Sequence, residues 1–251
     1  MAKGEPRVLI LGGTAEARAL AQALVDAGVD VESSLAGRVS RPRLPVGRVR
    51  SGGFGGAEGL AAYCVREGIT HLVDATHPFA TTMTAHAVAA GEQAAIPMLR
   101  LARPGWRSHP LADQWRWVSS YDGARERADE VGGTPFITTG RQTLEHYASW
   151  AGREVLVRVV EPLDGAPPDG WTVLQDRGPY TVDGELEVMR RHGVGVVLTK
   201  DSGGSYTSAK LDAAAELGVP VIIVARPAIP SGAAEVGTVA QVLHWLAHPA
   251  R

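Results

Sequence analysis

The sequence has little cysteine, little lysine and no excess of charge. Its one cysteine, Cys64, excludes an intrachain disulfide and a cysteine-based metal site. The place of Cys64 in the apolar stripe of a predicted helix favours a buried, unreactive thiol. The formal net charge is −2, whereas non-specific binding to nucleic acid needs a field of excess positive charge. The sequence therefore argues against a nucleic-acid partner.

The shortage of lysine is matched by an excess of arginine. Among the 25 basic residues only Lys3, Lys200 and Lys210 are lysines. Arginine is the better bidentate partner for carboxylates and phosphates, but a GC-rich genome produces the same bias without functional meaning. The positions of the arginines must decide between these two explanations.

Long apolar segments are also absent. The residues before the first apolar run lack the extended apolar region of a signal peptide, and no window reaches the length of a membrane span. The histidines include neither an H-E-x-x-H motif nor a pair at helical ligand spacing with a carboxylate. We therefore expect a cytoplasmic protein without membrane contact or bound metal.

Short apolar runs alternate with helix-period segments, which is the pattern of parallel βαβ units. Strands are predicted at 8–11, 29–35, 71–75, 96–99, 115–118, 136–138, 155–160, 172–175, 196–199 and 221–224, with helices at 14–27, 57–67, 79–90, 208–217 and 236–246. The pattern stops in a segment rich in Pro, Gly and Arg, so we place a domain boundary near Arg103. The predicted fold is α/β, with two Rossmann-like parallel-sheet domains (1–103 and 104–251) and an active-site cleft between them.

The first strand runs directly into a glycine pair and a helix, in the segment VLILGGTAEAR (8–18). Gly12 and Gly13 let the backbone approach a pyrophosphate, and the free N–H groups of the helix start favour an anion. The third glycine of the G-x-G-x-x-G fingerprint is missing. An ordinary glycine-containing turn is the alternative.

About 20 residues further on, a dinucleotide fold meets the adenosine ribose, where an acid selects NAD and a basic residue accommodates the 2′-phosphate of NADP. Here the second strand ends near Ser34, Gly37 and Arg38, and Glu32 precedes the strand tip. Hydroxyl, glycine and guanidinium suit a phosphate, so the sequence predicts NADPH rather than NADH. We interpret the other arginines of this run (41, 43, 48 and 50) as a solvated loop.

Two further segments of the first half are candidates for ligand contact. In SGGFGG (51–56), Gly53 and Phe54 lie in a loop that either approaches a ligand closely or forms a linker. DATHPFA (74–80) follows a strand and enters a helix with Pro78 in its first turn. Because ligands of parallel sheets bind at the carboxyl ends of strands, His77 is a candidate proton donor, with helix capping as the alternative.

Three strand ends in the second half carry similar residues. ITTGR (137–141) combines hydroxyls, glycine and a cation, and DRGPY (176–180) places arginine and tyrosine in a tight turn. LTKDSGG (198–204) joins a lysine to a glycine pair that can form an anion-holding backbone nest. A structural turn explains any one of these segments, but all three at one sheet edge predict an anion site.

The segments GGTAEAR (12–18), SLAGR (34–38), GGFGG (52–56), DATHPFA, ITTGR, RGPY (177–180) and LTKDSGG occur in this order over nearly the whole chain. Together they resemble the precorrin-6A reductase family of cobalamin biosynthesis. The resemblance implies an NADPH-dependent oxidoreductase that reduces the bond between carbons 18 and 19 of a contracted tetrapyrrole, giving precorrin-6B, and hands its product to the next enzyme of the pathway. Some members take the cobalt-containing substrate instead, and the sequence leaves that choice open.

The expected site residues lie in these segments. The cofactor is assigned to Gly12, Gly13, Thr14, Glu16, Arg18, Ser34, Gly37, Arg38, Gly53, Phe54, Ala75, Thr76, His77 and Pro78. The tetrapyrrole is assigned to Thr139, Gly140, Arg141, Arg177, Gly178, Tyr180, Lys200, Ser202 and Gly203, with Lys210 and Arg226 as further rim cations. Asp201, His77 and Tyr180 are the candidate proton donors.

Two functions of other classes stay open at this point. A non-catalytic NADPH-sensing module would bind a nucleotide but would need no second anion-lined sheet edge. A methyltransferase that uses S-adenosylmethionine also has glycines after its first strand. It normally has an acid after the second strand, and this sequence has none there.

Overall fold

The computed structural model describes residues 5–37 and 43–248 and consists of two compact units. The first unit contains the chain up to Arg103 together with the chain from Pro227 onward, and the second is Pro104–Arg226. Each unit has its own six-stranded sheet, and every strand pair in both sheets is parallel. The predicted class, α/β with two Rossmann-like parallel sheets, is confirmed.

The first sheet contains β1 (Arg7–Leu11), β2 (Asp30–Leu35), β3 (Arg48–Ser51), β4 (His71–Asp74), β5 (Met98–Leu101) and β12 (Glu235–Val236). Its order is β12-β5-β4-β1-β2-β3. The helices of this unit are α1 (Ala15–Asp26), α2 (Ala57–Arg66), α3 (Thr81–Gln93) and α7 (Val239–Ala247). No helix in the described part of the chain is long and apolar enough to cross a membrane.

The central strand β1 divides the core of the first unit between two faces. Val8 and Ile10 pack with residues of α1 and α7, whereas Leu9 and Leu11 pack with residues of α2 and α3. Successive side chains of a strand point to opposite faces, so a run of apolar residues is what a parallel strand covered on both faces requires. Cys64 of α2 is fully buried, as expected, and burial raises the pKa of its thiol to about 11.

The second sheet contains β6 (Arg116–Val118), β7 (Thr134–Ile137), β8 (Val155–Val159), β9 (Trp171–Gln175), β10 (Val194–Lys200) and β11 (Val221–Val224). Its order is β6-β11-β10-β7-β8-β9. The flanking helices are α4 (Tyr121–Val131), α5 (Val182–Arg191) and α6 (Ala209–Glu216), with 3₁₀ helices at Trp106–Ser108, Ala112–Gln114 and Arg141–Trp150. The core includes Phe136, Leu156, Met189 and Leu211.

Both sheets reverse their strand order once. In the first sheet β2 and β3 extend from one side of β1, and β4 and β5 from the other. In the second sheet β8 and β9 extend from β7, and β10 and β11 lie on its other side. The carboxyl ends of β1 and β4, and those of β7 and β10, therefore flank topological switch points, the places where open parallel sheets bind ligands.

The expected range of the second domain, 104–251, is wrong at its C-terminal end. Residues 227–248 belong to the first unit, where the N–H groups of Arg100 and Ala102 donate to the carbonyls of Ala234 (2.8 Å) and Val236 (2.9 Å). Val242 of α7 is fully buried in the same core. The pairing joins strands that are distant in sequence, and β12 has only two residues, so local periodicity does not reveal it.

The interpretation of residues 41–50 as a solvated loop is also wrong in part. Arg48 and Arg50 lie on β3, which pairs with β2 along Glu32–Leu35. Arg48 binds Asp30 at the amino end of β2 (2.6 Å), whereas Arg50 lies opposite Ser34 near the carboxyl end. Arg41 lies outside the described residues, and Arg43 precedes the strand.

Replacing Val242 by alanine should destabilise the first unit and leave the second unchanged. Losing two buried methyl groups from a packed site costs about 2 kcal/mol. Hydrogen exchange followed by mass spectrometry should show faster exchange in β1 and β5 and unchanged exchange in β7 and β10. Val197→Ala in β10, at an equally buried position, is the matched control and should give the reverse pattern. Equal acceleration in both units by Val242→Ala would contradict the division.

Candidate functional site

The turns after β1 and β4 meet at the switch point of the first sheet. Gly12 donates its N–H to a carbonyl of β2 (2.9 Å), and Gly13 has a φ of 115°, which favours glycine. The Thr14 hydroxyl donates to the Ala75 carbonyl (2.8 Å) and accepts from the N–H of Ala17 (3.0 Å). One hydroxyl therefore joins both turns to the start of α1.

The start of α1 presents backbone N–H groups at this point. Thr14 caps the N–H of Ala17, and the earlier N–H groups have no acceptor within the helix, so the helix dipole favours an anion there. Glu16 lies in the same turn and is paired with Arg103 (2.6 Å), which offsets the charge of the acid. Arg18 lies two residues further along and is half-buried.

Arg50 brings to the same edge a cation that the sequence pattern does not single out. Its guanidinium donates to the Ser34 hydroxyl (2.7 Å) and to the carbonyls of Gly52 (3.0 Å) and Gly53 (3.2 Å). It also lies 3.9 Å from the centre of the Phe54 ring. The glycine loop is folded around this one guanidinium, so it is not a linker. The signal was the alternation of Arg-Val-Arg-Ser before the loop, which is typical of a strand.

The neighbouring end of β2 is only partly described. Arg38, the expected phosphate ligand, lies outside the described residues, and Gly37 before it has a φ of 72°. The Glu32 carboxylate accepts a hydrogen bond from the Tyr63 hydroxyl (2.8 Å). Burial, together with this bond, raises the pKa of Tyr63 to about 12. The acid of β2 is therefore engaged away from the strand tip.

The loop after β4 carries Ala75, Thr76, His77 and Pro78. The buried Asp74 carboxylate accepts from both the N–H (3.0 Å) and the hydroxyl (2.7 Å) of Thr76. The N–H of Phe79 donates to Nδ1 of His77 (3.2 Å). A neutral His77 ring with Nδ1 as acceptor carries its proton on Nε2, so this half-buried residue can donate a hydrogen bond from Nε2. The neutral ring is too weak an acid to give up that proton itself.

The turns after β7 and β10 meet at the switch point of the second sheet. Gly140 has a φ of 97°, and a Cβ there would lie 3.8 Å from Nζ of Lys200. The backbone of this turn therefore passes close to the lysine that ends β10. Thr139 is fully buried, and its hydroxyl shares a hydrogen bond with Thr143 (2.8 Å), so its side chain supports the turn from within.

Lys200 and Lys210 differ in their access to this edge. Lys200 is partly exposed, and burial of its ammonium group lowers its pKa to about 8. Lys210 is 3% exposed and donates to the Thr207 carbonyl, so the expectation that it is a rim cation is wrong. Burial, with a contribution from the charge of Arg158, lowers the pKa of Lys210 to about 7.

The two predicted arginines of this edge both contact the segment after β8. Arg141 binds the Pro162 carbonyl and the Asp164 carboxylate, each at 2.9 Å, and Arg177 pairs with Glu161 (3.1 Å). Ion pairs open to solvent contribute little to stability, and Asp164 is almost fully exposed. A ligand carboxylate can therefore take the place of Asp164 at small cost.

Asp201 is a buried structural residue rather than an open acid. Its Oδ1 accepts from the N–H of Trp106 (2.8 Å), and its Oδ2 lies 3.6 Å from Nε of Arg226. Arg226 also donates to the carbonyls of Asp201 (3.1 Å) and Ser202 (3.3 Å). A Cβ at Gly203 would lie 2.3 Å from the backbone carbonyl oxygen of Pro104, and the residue has a φ of 68°, so only glycine fits there. Arg226 is therefore held by Asp201 and Ser202, and part of its side chain remains exposed.

Tyr180 is held by the turn in which it lies. Its ring centre is 3.8 Å from the guanidinium of Arg158, and its hydroxyl donates to the Asp176 carbonyl (3.1 Å). Burial raises the pKa of the hydroxyl. Gly178 is buried beside this ring, where a Cβ would approach it to 3.1 Å. The geometry favours a packing surface over a proton donor.

These features define the class of the protein. Two parallel sheets, each with glycine turns and charged side chains at its switch point, form a Rossmann-like α/β protein with two candidate ligand-binding edges. The family model for precorrin-6x reductase CbiJ/CobK matches residues 7–247. The chain belongs to this family and is an oxidoreductase, so the resemblance of its motifs is confirmed.

Relatives match over almost the whole chain. A precorrin-6A reductase of Rhodococcus erythropolis is 47% identical, covering 96% of this chain and 97% of its own. That of Rhodobacter capsulatus is 39% identical, covering 96% of each, and a cobalt-precorrin-6A reductase of Priestia megaterium is 30% identical, covering 97% and 99%. The solved structure of a CobK precorrin-6A reductase superposes with a TM-score of 0.89 at 38% identity, covering 96% of both chains.

Labelling lysine side chains with ¹³C tests the burial of Lys200 and Lys210, because the chain has only three lysines. We expect one signal to titrate near pH 8 and one near pH 7, since burial disfavours the ammonium form. A solvated lysine titrates at about 10.4. Lys200→Arg and Lys210→Met assign the two signals. Titration of both near the solvated value would contradict the electrostatics described above.

Proposed function

We propose that this chain uses NADPH to reduce the bond between carbons 18 and 19 of precorrin-6A, giving precorrin-6B in cobalamin biosynthesis. The observation that carries the proposal is that both sheets bring charged, glycine-rich turns to their switch points. Relatives at 47% and 39% identity are named for the metal-free substrate, and the one at 30% for the cobalt form, so we favour the metal-free substrate. The reaction is placed in the cytoplasm. The protein hands its product to the next enzyme of the pathway.

The first edge fits the pyrophosphate of a dinucleotide. A Cβ at Gly13 would meet no atom within 4 Å, so the space beside the turn is open, and the N–H groups of the first turn of α1 point to it. Ala75 and Thr76 border the same point, because Thr14 is bonded to Ala75. Bound there, NADPH supplies the hydride, and the chain contributes binding and orientation.

The 2′-phosphate is assigned to Ser34, Arg50 and Arg38. Stacking on Phe54 and three hydrogen bonds hold the Arg50 guanidinium in place, so it loses little freedom on binding a phosphate. Those bonds use three of its five N–H donors. Glu32, the acid of the same strand, is bonded to Tyr63 and does not compete for a ribose hydroxyl. This arrangement favours NADPH over NADH.

The second edge suits a polycarboxylate. Lys200 and the two arginines supply positive charge, and the turns at Gly140 and Gly203 supply backbone without side chains. One face of the Tyr180 ring is covered by Arg158, and because the residue is partly exposed, the remaining ring surface can contact a flat macrocycle. The backbone of the same turns is also assigned to the tetrapyrrole at Thr139, Gly178 and Ser202.

The proton for the second carbon is assigned to a water molecule that His77 orients. Its Nδ1 accepts from the N–H of Phe79, which leaves the proton on Nε2. Asp201 is paired with Arg226, and the Tyr180 hydroxyl is bonded to a backbone carbonyl. Of the three candidates, His77 is therefore the one whose geometry suits a hydrogen bond to that water, and the water gives the proton.

Anaerobic incubation with precorrin-6A and NADPH tests the function. We expect loss of nicotinamide absorbance together with a shift of the tetrapyrrole chromophore. His77→Asn keeps an acceptor for the N–H of Phe79 but removes the Nε2 proton, and should lower kcat on the order of 100-fold with little change in the KM for NADPH. An NADPH-sensing module would show neither absorbance change, and an unchanged kcat in the variant would assign the proton to another source.

Replacing Arg50 by alanine should weaken the binding of NADPH much more than the binding of NADH. Loss of a charge-assisted phosphate contact costs about 1–3 kcal/mol, which would raise the KM for NADPH at least several-fold. Arg38→Ala should act in the same direction. Arg48→Ala is the matched control, because Arg48 lies on the same strand but pairs with Asp30 at its other end. An unchanged NADPH/NADH preference in both Arg50→Ala and Arg38→Ala would refute the assignment.

A further inference from the structure

The loop 75–80 carries His77, the residue proposed to orient the proton-giving water, but it belongs to neither a strand nor a helix. Two of its backbone N–H groups, those of Ala75 and Ala80, donate to backbone carbonyls, and side chains beneath the loop bond to other parts of it. Asp74 is the first of these: it is 1% exposed, and its Oδ1 accepts both hydrogen bonds from Thr76. Its Oδ2 accepts from the hydroxyl of Thr84 (2.6 Å), a fully buried residue of α3.

Arg100 connects this network to the far side of the loop. It lies on β5, is 3% exposed, and donates to the Thr84 hydroxyl (2.9 Å) and the Pro78 carbonyl (3.3 Å). One guanidinium therefore contacts the loop directly at Pro78 and indirectly through Thr84 and Asp74. Its planar fork fixes both contacts at once.

Glu235 balances the charge of Arg100. It lies opposite Arg100 across the β5–β12 pair, and its Oε2 is 3.1 Å from Nε of Arg100. The contact is an ion pair rather than an aligned hydrogen bond, because the Nε–H lacks a partner of hydrogen-bond geometry in the described structure. A buried guanidinium without a counter-charge is costly and would turn towards water.

We propose that Arg100 and Glu235 are positioning residues that hold loop 75–80, and with it His77, in the conformation required at the NADPH edge. The effect of the loop on catalysis through His77 rests on the proposed function, whereas the support of the loop by Arg100 and Glu235 does not. The C-terminal strand β12 contributes one of its two residues to this pair, so the segment 227–236 serves the first unit's site as well as its sheet. Neither residue is required to touch the cofactor.

Glu235→Ala and Glu235→Gln test the proposal at two points. First, amide exchange measured by NMR at Thr76 and Phe79, whose N–H groups bond to Asp74 and His77, should accelerate roughly tenfold in Glu235→Ala. Secondly, kcat should fall roughly tenfold, since small misplacements of a reacting group are costly. Glu235→Gln, which keeps an oxygen next to Arg100, should restore part of both losses.

Asp30→Asn is the matched control. It removes the carboxylate that pairs with Arg7 and Arg48 in the same sheet, at the amino end of β2, and should change neither loop exchange nor kcat. Unchanged exchange at Thr76 and Phe79 in Glu235→Ala would overturn the proposal, as would an equal effect of Asp30→Asn. Faster exchange in a protein that does not oxidise NADPH would uphold the positioning of the loop and refute the proposed function instead.

Discussion

The structure depends on one constraint of parallel sheets. Where the strand order reverses, the connections leave the two central strands in opposite directions, and the backbone at their carboxyl ends remains accessible. The first unit meets this constraint between β1 and β4, and the second between β7 and β10. Each pair of strands ends in a pair of motifs that are distant in sequence. The topology alone brings GGT next to DATHP and TTGR next to TKDSGG.

The described cations near these two points are arginines in the first unit and include lysines in the second. Arg50 and Arg100 are each held by several hydrogen bonds in the first unit, and an arginine keeps its charge when buried. Lys200 and Lys210 lie in the second unit, where burial lowers the pKa of both. The arginine excess therefore has a structural use at several positions, whatever its genomic origin. The near-neutral total hides two locally charged edges.

The sequence predicts the order of most strands and helices, because each central strand is an apolar run and each following helix has a clear apolar stripe. It also predicts the glycine turns, because glycine is the residue that favours positive φ values. Gly13 and Gly140 have such values in the structure. It does not predict that β12 joins β5, because two residues carry no periodic signal. Nor does it reveal that Asp201 is tied to Arg226 or that Arg50 stacks on Phe54, since such contacts depend on neighbours brought together by the fold.

The proposed reaction is a direct hydride transfer from a nicotinamide nucleotide to a tetrapyrrole. Mass spectrometry of the product formed with NADPH deuterated at both C4 positions tests this claim most directly. The account predicts one deuterium in the reduced macrocycle and its absence when the deuterium is supplied only at other positions of the nucleotide. A reduced product that carries hydrogen from solvent alone would contradict it.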